Sequence, residues 1–227
     1  MAVTPGPTAP RIAIVAIVLS FALAGAVGIL RTVNAAPVER AVEVAGNVAF
    51  AVVFAAPALL ALLGLRDRPS LLVAAGALDL GLAFVSLMSF IGLVFVPPGV
   101  MFIVAGGRMR GAGARPSRSI AAVLVAVLPG TVAFFALFAR EDPVWWAINP
   151  ATGESFRLNP ERFVHGTSIS MDSRDLPPGV TEAGCSTDSI STAEAIDGIA
   201  VVAAMLGAAW VLSKPPGPRA RPIRTTG

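Results

Sequence analysis

An all-α polytopic membrane bundle with six transmembrane helices is the fold class this sequence predicts, and three observations predict it. Hydrophobic residues fill 55% of the 227 positions and charged residues 14%, with a mean hydropathy of +0.77, well outside the range of a soluble globular domain. Uncharged apolar runs of membrane-crossing length recur along the chain, since about 20 residues at about 1.5 Å rise cross a hydrocarbon layer about 30 Å thick. The arginines fall in short runs between those stretches, which is a topology signal and not a nucleic-acid face. A net charge of +3 with a pI near 10.4 therefore implies no nucleic acid, and the lipid bilayer is the first partner expected.

The elements follow in order. A Pro/Gly/Thr-rich tail too short to fold precedes the first span, residues 11–30. Val33-Asn34-Ala35 resembles a small-residue signal cleavage site, but the apolar run exceeds the roughly 7 to 15 residues of a signal peptide, so the span is read as retained. The second span covers 41–65 and ends at Arg66-Asp67-Arg68. Residues 70–107 are too long for one ordinary span and fit two short helices, 70–87 and 90–107, with a tight turn near 87–90. Pro97 and Pro98 fall inside the second of these, where they remove backbone donors and should kink it. The fifth span is 119–138 and the sixth 195–212.

Helix punctuation agrees with these limits. Pro69-Ser70 and Pro116-Ser117 mark the starts of the third and fifth spans, and Ser191 with Glu194 has capping-box spacing before the sixth. The organisation expected is a five-helix membrane region over 1–139, an acidic extracytoplasmic loop over 140–194, the sixth helix over 195–213 and a basic disordered cytoplasmic tail over 214–227.

Orientation follows from the basic residues, which stay on the cytoplasmic side in short loops. Arg108, Arg110, Arg115 and Arg118 share one loop, and Lys214, the only lysine, shares the tail with Arg219, Arg221 and Arg224. Residues 140–194 carry Glu141, Asp142, Glu154, Glu161, Asp172, Asp175, Glu182, Asp188 and Glu194 against four arginines, and belong outside. Six spans then put both termini in the cytoplasm, with Arg66 and Arg68 inside and only Arg31 and Arg40 on the short outer loop; the membrane expected is the plasma (cytoplasmic) membrane. A five-span alternative fits the charges slightly less well. Val53-Phe54 and Val94-Phe95 each precede a proline and an arginine loop ending Arg-Pro-Ser, at 68–70 and 115–117, which hints at repeated hairpins. Spans this rich in Ala, Val and Leu match by chance, so coincidence is preferred.

Asp79 is the foremost candidate for chemistry. It lies about nine residues into the third span, hence about 13 Å deep at about 1.5 Å per residue. A carboxylate there costs about 2.5 to 3.5 kcal/mol on insertion scales, so it should face the bundle, be protonated or find a partner. No arginine or lysine within a span can neutralise it, and Asn47, Ser86, Ser89 and Thr131 are the hydrogen-bond candidates. The functional reading is a proton or cation site, and the structural one an interhelical hydrogen bond. Glu43 and Asn47, four apart on the second helix, could line an outward vestibule, although an acid in a first turn more simply complements the helix dipole. Ser20, Ala24 and Gly28 form a small-residue packing stripe. Phe50 and Phe54 read as packing or lipid-facing, Trp145 and Trp146 as an interfacial anchor outside, and Trp210 as one inside.

The outer segment offers little chemistry. Residues 144–149 and 155–159 flank Pro150-Ala-Thr-Gly153 and could form one β-hairpin, with the remainder mostly irregular. His165, the only histidine, reads as a loop residue; Cys185, the only cysteine, could pair between chains, and a homodimer stays open. No cofactor or metal is expected: a lysine followed by proline makes no phosphate loop, and one His with one Cys makes no standard zinc cluster or zinc protease. No enzyme is expected, for want of a catalytic pair. Two functions remain. The first is a non-enzymatic accessory protein whose outer acidic segment contacts a protein or envelope partner; the alternative is a small transporter or channel subunit using Asp79.

Overall fold

The computed structural model describes residues 8–34, 43–66, 68–86, 91–110, 116–138, 144–158, 164–165, 168–169, 179–180, 182–186 and 192–213. Six α-helices occur among them: α1 Thr8–Asn34, α2 Glu43–Gly64, α3 Pro69–Val85, α4 Val96–Met109, α5 Pro116–Phe138 and α6 Thr192–Leu212. Four helical stretches are long and apolar enough to cross a membrane, Thr8–Val33, Gly46–Gly64, Gly92–Met109 and Ala193–Leu212. Pro69–Val85 and Ile120–Ala133 are apolar but shorter. The turn expected near 87–90, Ser89, Ser191 and the basic tail lie outside the described residues.

Pro97 and Pro98 act differently from the kink expected of them. A 3-10 segment, Ile91–Phe95, runs directly into α4, and the prolines occupy the first turn of that helix. There a missing N–H costs nothing, because first-turn donors have no intrahelical acceptor. The prolines therefore mark where tight winding gives way to α-helix. Pro57 and Pro129, by contrast, do lie inside α2 and α5.

The helices close into a ring in the order α1, α2, α6, α5, α3, α4, and an additional contact between α2 and α3 bridges it. This explains the burial pattern. Phe54, Leu60 and Ala61 on α2 and Leu71, Leu72, Leu78 and Leu82 on α3 are almost wholly enclosed. The outer helices each keep an apolar face uncovered: Ile120, Leu124, Leu128 and Val132 recur every four residues on α5, and Ile14, Val18 and Ile29 on α1 are equally exposed. α2 packs directly on α3, whereas α4 and α5 each pack on α3 as its separate ring neighbours. Phe54 of α2 and Phe95, just before α4, touch each other, ring centroids 4.9 Å apart.

Small residues set how closely the helices approach, as expected where lipid tails give no hydrophobic drive for association. On α1 the buried line is Ala9, Ala13, Ala16, Ser20, Ala24 and Val27, and a Cβ placed on Gly28 would lie 3.1 Å from that of Ala51. One close approach joins α3 to α4. A Cβ on Gly76 would lie 2.5 Å from the Gly99 carbonyl oxygen and 2.6 Å from Ile103 Cγ1.

Outside the bundle, β1 Val144–Asn149 and β2 Glu154–Leu158 form the antiparallel hairpin. Gly153 takes the left-handed conformation its turn requires, with φ of 69°, and donates its N–H to the Asn149 carbonyl at 2.8 Å. The region is less irregular than expected beyond this point. A further strand, Glu182–Ser186, adds antiparallel to the other edge of β1, and two-residue strands at Val164–His165 and Ser168–Ile169 pair with each other. In chain order the short pair is β3 and β4, and the added strand is β5. Trp145, expected as a membrane anchor, is instead the sheet's own core: with Ala147, Leu158 and Val180 it forms a small cluster and is 6% exposed. Trp146 lies over Gly184, its cross-strand neighbour, where a Cβ would meet the indole at 2.5 Å.

Candidate functional site

Asp79 sits on α3 one turn after Gly76, and the close crossing with α4 puts it fully inside the bundle. Its Cβ faces Gly99 of α4, 3.1 Å from where a Cβ on that glycine would lie. Both carboxyl oxygens are buried, and neither has a hydrogen-bond partner among the described residues. The residue after Leu78 also lies level with the middle of α5, because Leu78 packs on Gly130, with Met205 of α6 beside it. At that level Pro129 has no N–H to offer the Val125 carbonyl.

Of the hydrogen-bond candidates named for Asp79, the described ones are engaged elsewhere. Ser86 donates to the Leu82 carbonyl and Thr131 donates to the Val127 carbonyl at 2.7 Å, both within their own helices. Asn47 is buried near the other end of α2, where its Oδ1 accepts from Arg31 Nε at 3.2 Å while its Nδ2 has no partner. The guanidinium of Arg31 also stands 4.7 Å over the Phe50 ring. Asn47 thus belongs to a junction of α1 and α2 and not to the surroundings of Asp79. Glu43 begins α2, and its side chain, like those of His165 and Cys185, lies outside what is described; the Cys185 backbone pairs with Trp145.

A second junction closes the opposite end. Arg68, in the link between α2 and α3, lies over Trp210 of α6 with its guanidinium carbon 3.4 Å from the ring centroid. Its Nη1 donates to the Trp210 carbonyl at 2.6 Å and to Ser213 Oγ at 3.1 Å. Sequence reasoning counted Arg31 and Arg68 only as topology charges, because nothing local reveals which distant helix receives them.

Chemically, the arrangement can hold a neutral acid. An ionised carboxylate without donors or a countercharge would be costly in so enclosed a place. Among the described residues, no three His, Cys, Asp or Glu side chains gather to hold a metal. Comparison with known proteins finds no family model, no curated protein and no solved structure that the chain matches.

Proposed function

We propose that the chain is a six-span protein of the cytoplasmic membrane, with both termini in the cytoplasm, and that it serves as a small proton- or cation-coupled transporter or channel subunit working through Asp79. The observation that carries the functional reading is the fully buried Asp79, both of its oxygens unpartnered among the described residues, at the close α3–α4 crossing. A purely structural polar residue at that depth would be expected to have its hydrogen bonds made. Six spans are supported by the length of α3, 17 residues, which meets the lower limit of roughly 17 for a crossing helix, and of α5, 23 residues. The Arg68 contact with Trp210 and Ser213 brings the α2–α3 link to the C-terminal end of α6, as a common cytoplasmic side requires.

The test is flux in vesicles reconstituted with the full chain. Asp79→Asn is expected to abolish a proton- or cation-dependent flux while protein level and folding are kept. Unchanged flux in that variant, or none above empty vesicles in the parent, removes the reading.

The second reading, an accessory protein with an extracytoplasmic contact, is favoured by the β2-β1-β5 sheet with its own small core. It expects that deleting residues 150–185 removes a crosslinked envelope partner and that Asp79→Asn does not. No catalytic step is assigned to either.

A further inference from the structure

Around Asp79 the elements packed on α3 are α2, α4, α5 and the 3-10 segment. Between residues 44 and 65, 91 and 107, and 119 and 138 these hold no Asp, Glu, His, Lys or Arg. The nearest ionisable groups in the sequence are at their ends, Glu43, Arg66, Arg108, Arg118 and Arg140. Nothing within the layer can therefore balance a negative charge. Nothing described there can complete the shell of a metal cation either. Hard cations such as magnesium or calcium take about six or more oxygen ligands, whereas the described hydroxyls sought as neighbours, Ser86 and Thr131, are turned to carbonyls of their own helices. The face opposing the acid is the backbone of Gly99, with Leu80 alongside.

We infer that Asp79 is a binding site for a proton and not for a metal cation, and that the close seating of α3 on α4 at Gly76 and Gly99 belongs to the protonated form. The site takes H⁺ on a carboxylate oxygen and becomes a neutral carboxylic acid, with no other bond made or broken. Losing the proton leaves a charge facing glycine backbone, so the ionised form requires α3 and α4 to part far enough to admit water or a donor. The inference rests on reading Asp79 as the working residue, but it requires no flux.

The full chain in phosphatidylcholine vesicles at neutral pH, read by infrared spectroscopy, provides the test. The carbonyl stretch of a protonated carboxyl is expected, shifted in D₂O, absent in Asp79→Asn and in Asp79→Ser, and unmoved by saturating sodium, potassium or magnesium chloride. Gly76→Ala, which drives a methyl group against the Gly99 carbonyl and wedges the crossing open, is expected to diminish the band. Absence of any band that both Asp79 variants remove overturns the inference, as does a band displaced by one of the three cations. A band without flux leaves the inference standing and sinks the transport reading. Flux that needs Asp79 without a band does the reverse.

Discussion

Arg68 and Trp210 lie 142 residues apart in sequence, yet the arginine both covers the indole ring and bonds the carbonyl of the same residue. One side chain thereby joins the start of α3 to the last turn of α6, where a cation also meets the negative end of the helix dipole. The ring contact is worth about 0.5 to 2 kcal/mol and a hydrogen bond from a charged donor about 1.5 to 3, before solvent exposure reduces both. Arg68→Ala is expected to lower unfolding free energy in detergent by about 2 kcal/mol, with Arg68→Lys recovering less than half because a lysine lacks the flat fork that stacks and bonds together. Equal stability of the Lys variant and the parent in thermal unfolding would show that charge alone matters.

The helix crossing separates glycines that resemble one another in sequence. Gly76→Ala places a methyl 2.5 Å from a backbone oxygen and is expected to cost about 1 to 3 kcal/mol, as overpacking does. At Gly25 and Gly107 a methyl group would meet nothing within 4 Å, so alanine there is expected to be neutral or to stabilise by up to about 1 kcal/mol through helix propensity. Equilibrium unfolding of the three variants side by side checks the ordering.

Trp145 buries an indole N–H that has no acceptor among the described residues. Its replacement by Phe loses some ring area but also removes an unsatisfied donor, which by itself costs about 1 to 3 kcal/mol. Trp145→Phe is expected to leave protection of residues 144–186 against added protease within twofold of the parent. Trp145→Ala is expected to abolish that protection, since a core aromatic truncated to alanine costs about 3 to 5 kcal/mol and this cluster is small.

Asn47 gives its oxygen to Arg31 and keeps the junction of α1 with α2 closed. Asn47→Leu removes that acceptor and is expected to cost about 1 to 2 kcal/mol, with Arg31→Lys costing nearly as much because the stack on Phe50 is lost with the bond. Proteolytic access to the link between α1 and α2, measured in intact vesicles, should rise in both.

The helices were legible because their cause is local: runs of Ala, Val and Leu broken by arginine, proline and glycine need no knowledge of neighbours. Asp79 was legible for the same reason, as the one acid deep within such a run. What surrounds it was not. Ser86 and Thr131 are placed by depth to serve it, but a hydroxyl in a helix can satisfy itself on the carbonyl one turn back, and both do. The role of Pro97 and Pro98 was misjudged because the 3-10 segment before them carries the same apolar residues a helix would. Strand β5 was missed because Glu182-Ala-Gly-Cys-Ser has neither β-branched residues nor clear alternation, and its place depends on Trp146 covering Gly184 from the neighbouring strand.

The ring order has a consequence for how the polypeptide is made. The acid on α3 is sheltered partly by α2, already synthesised, but its facing surface is α4 and its flank α5, which leave the ribosome only afterwards. During synthesis there is an interval in which the acidic segment has no α4 to close over it, and a nascent chain arrested after α3 has emerged from the ribosome, but before α4 has, would hold that segment at the insertion machinery instead of releasing it sideways. Extending the arrested chain until α4 has emerged as well should let it go.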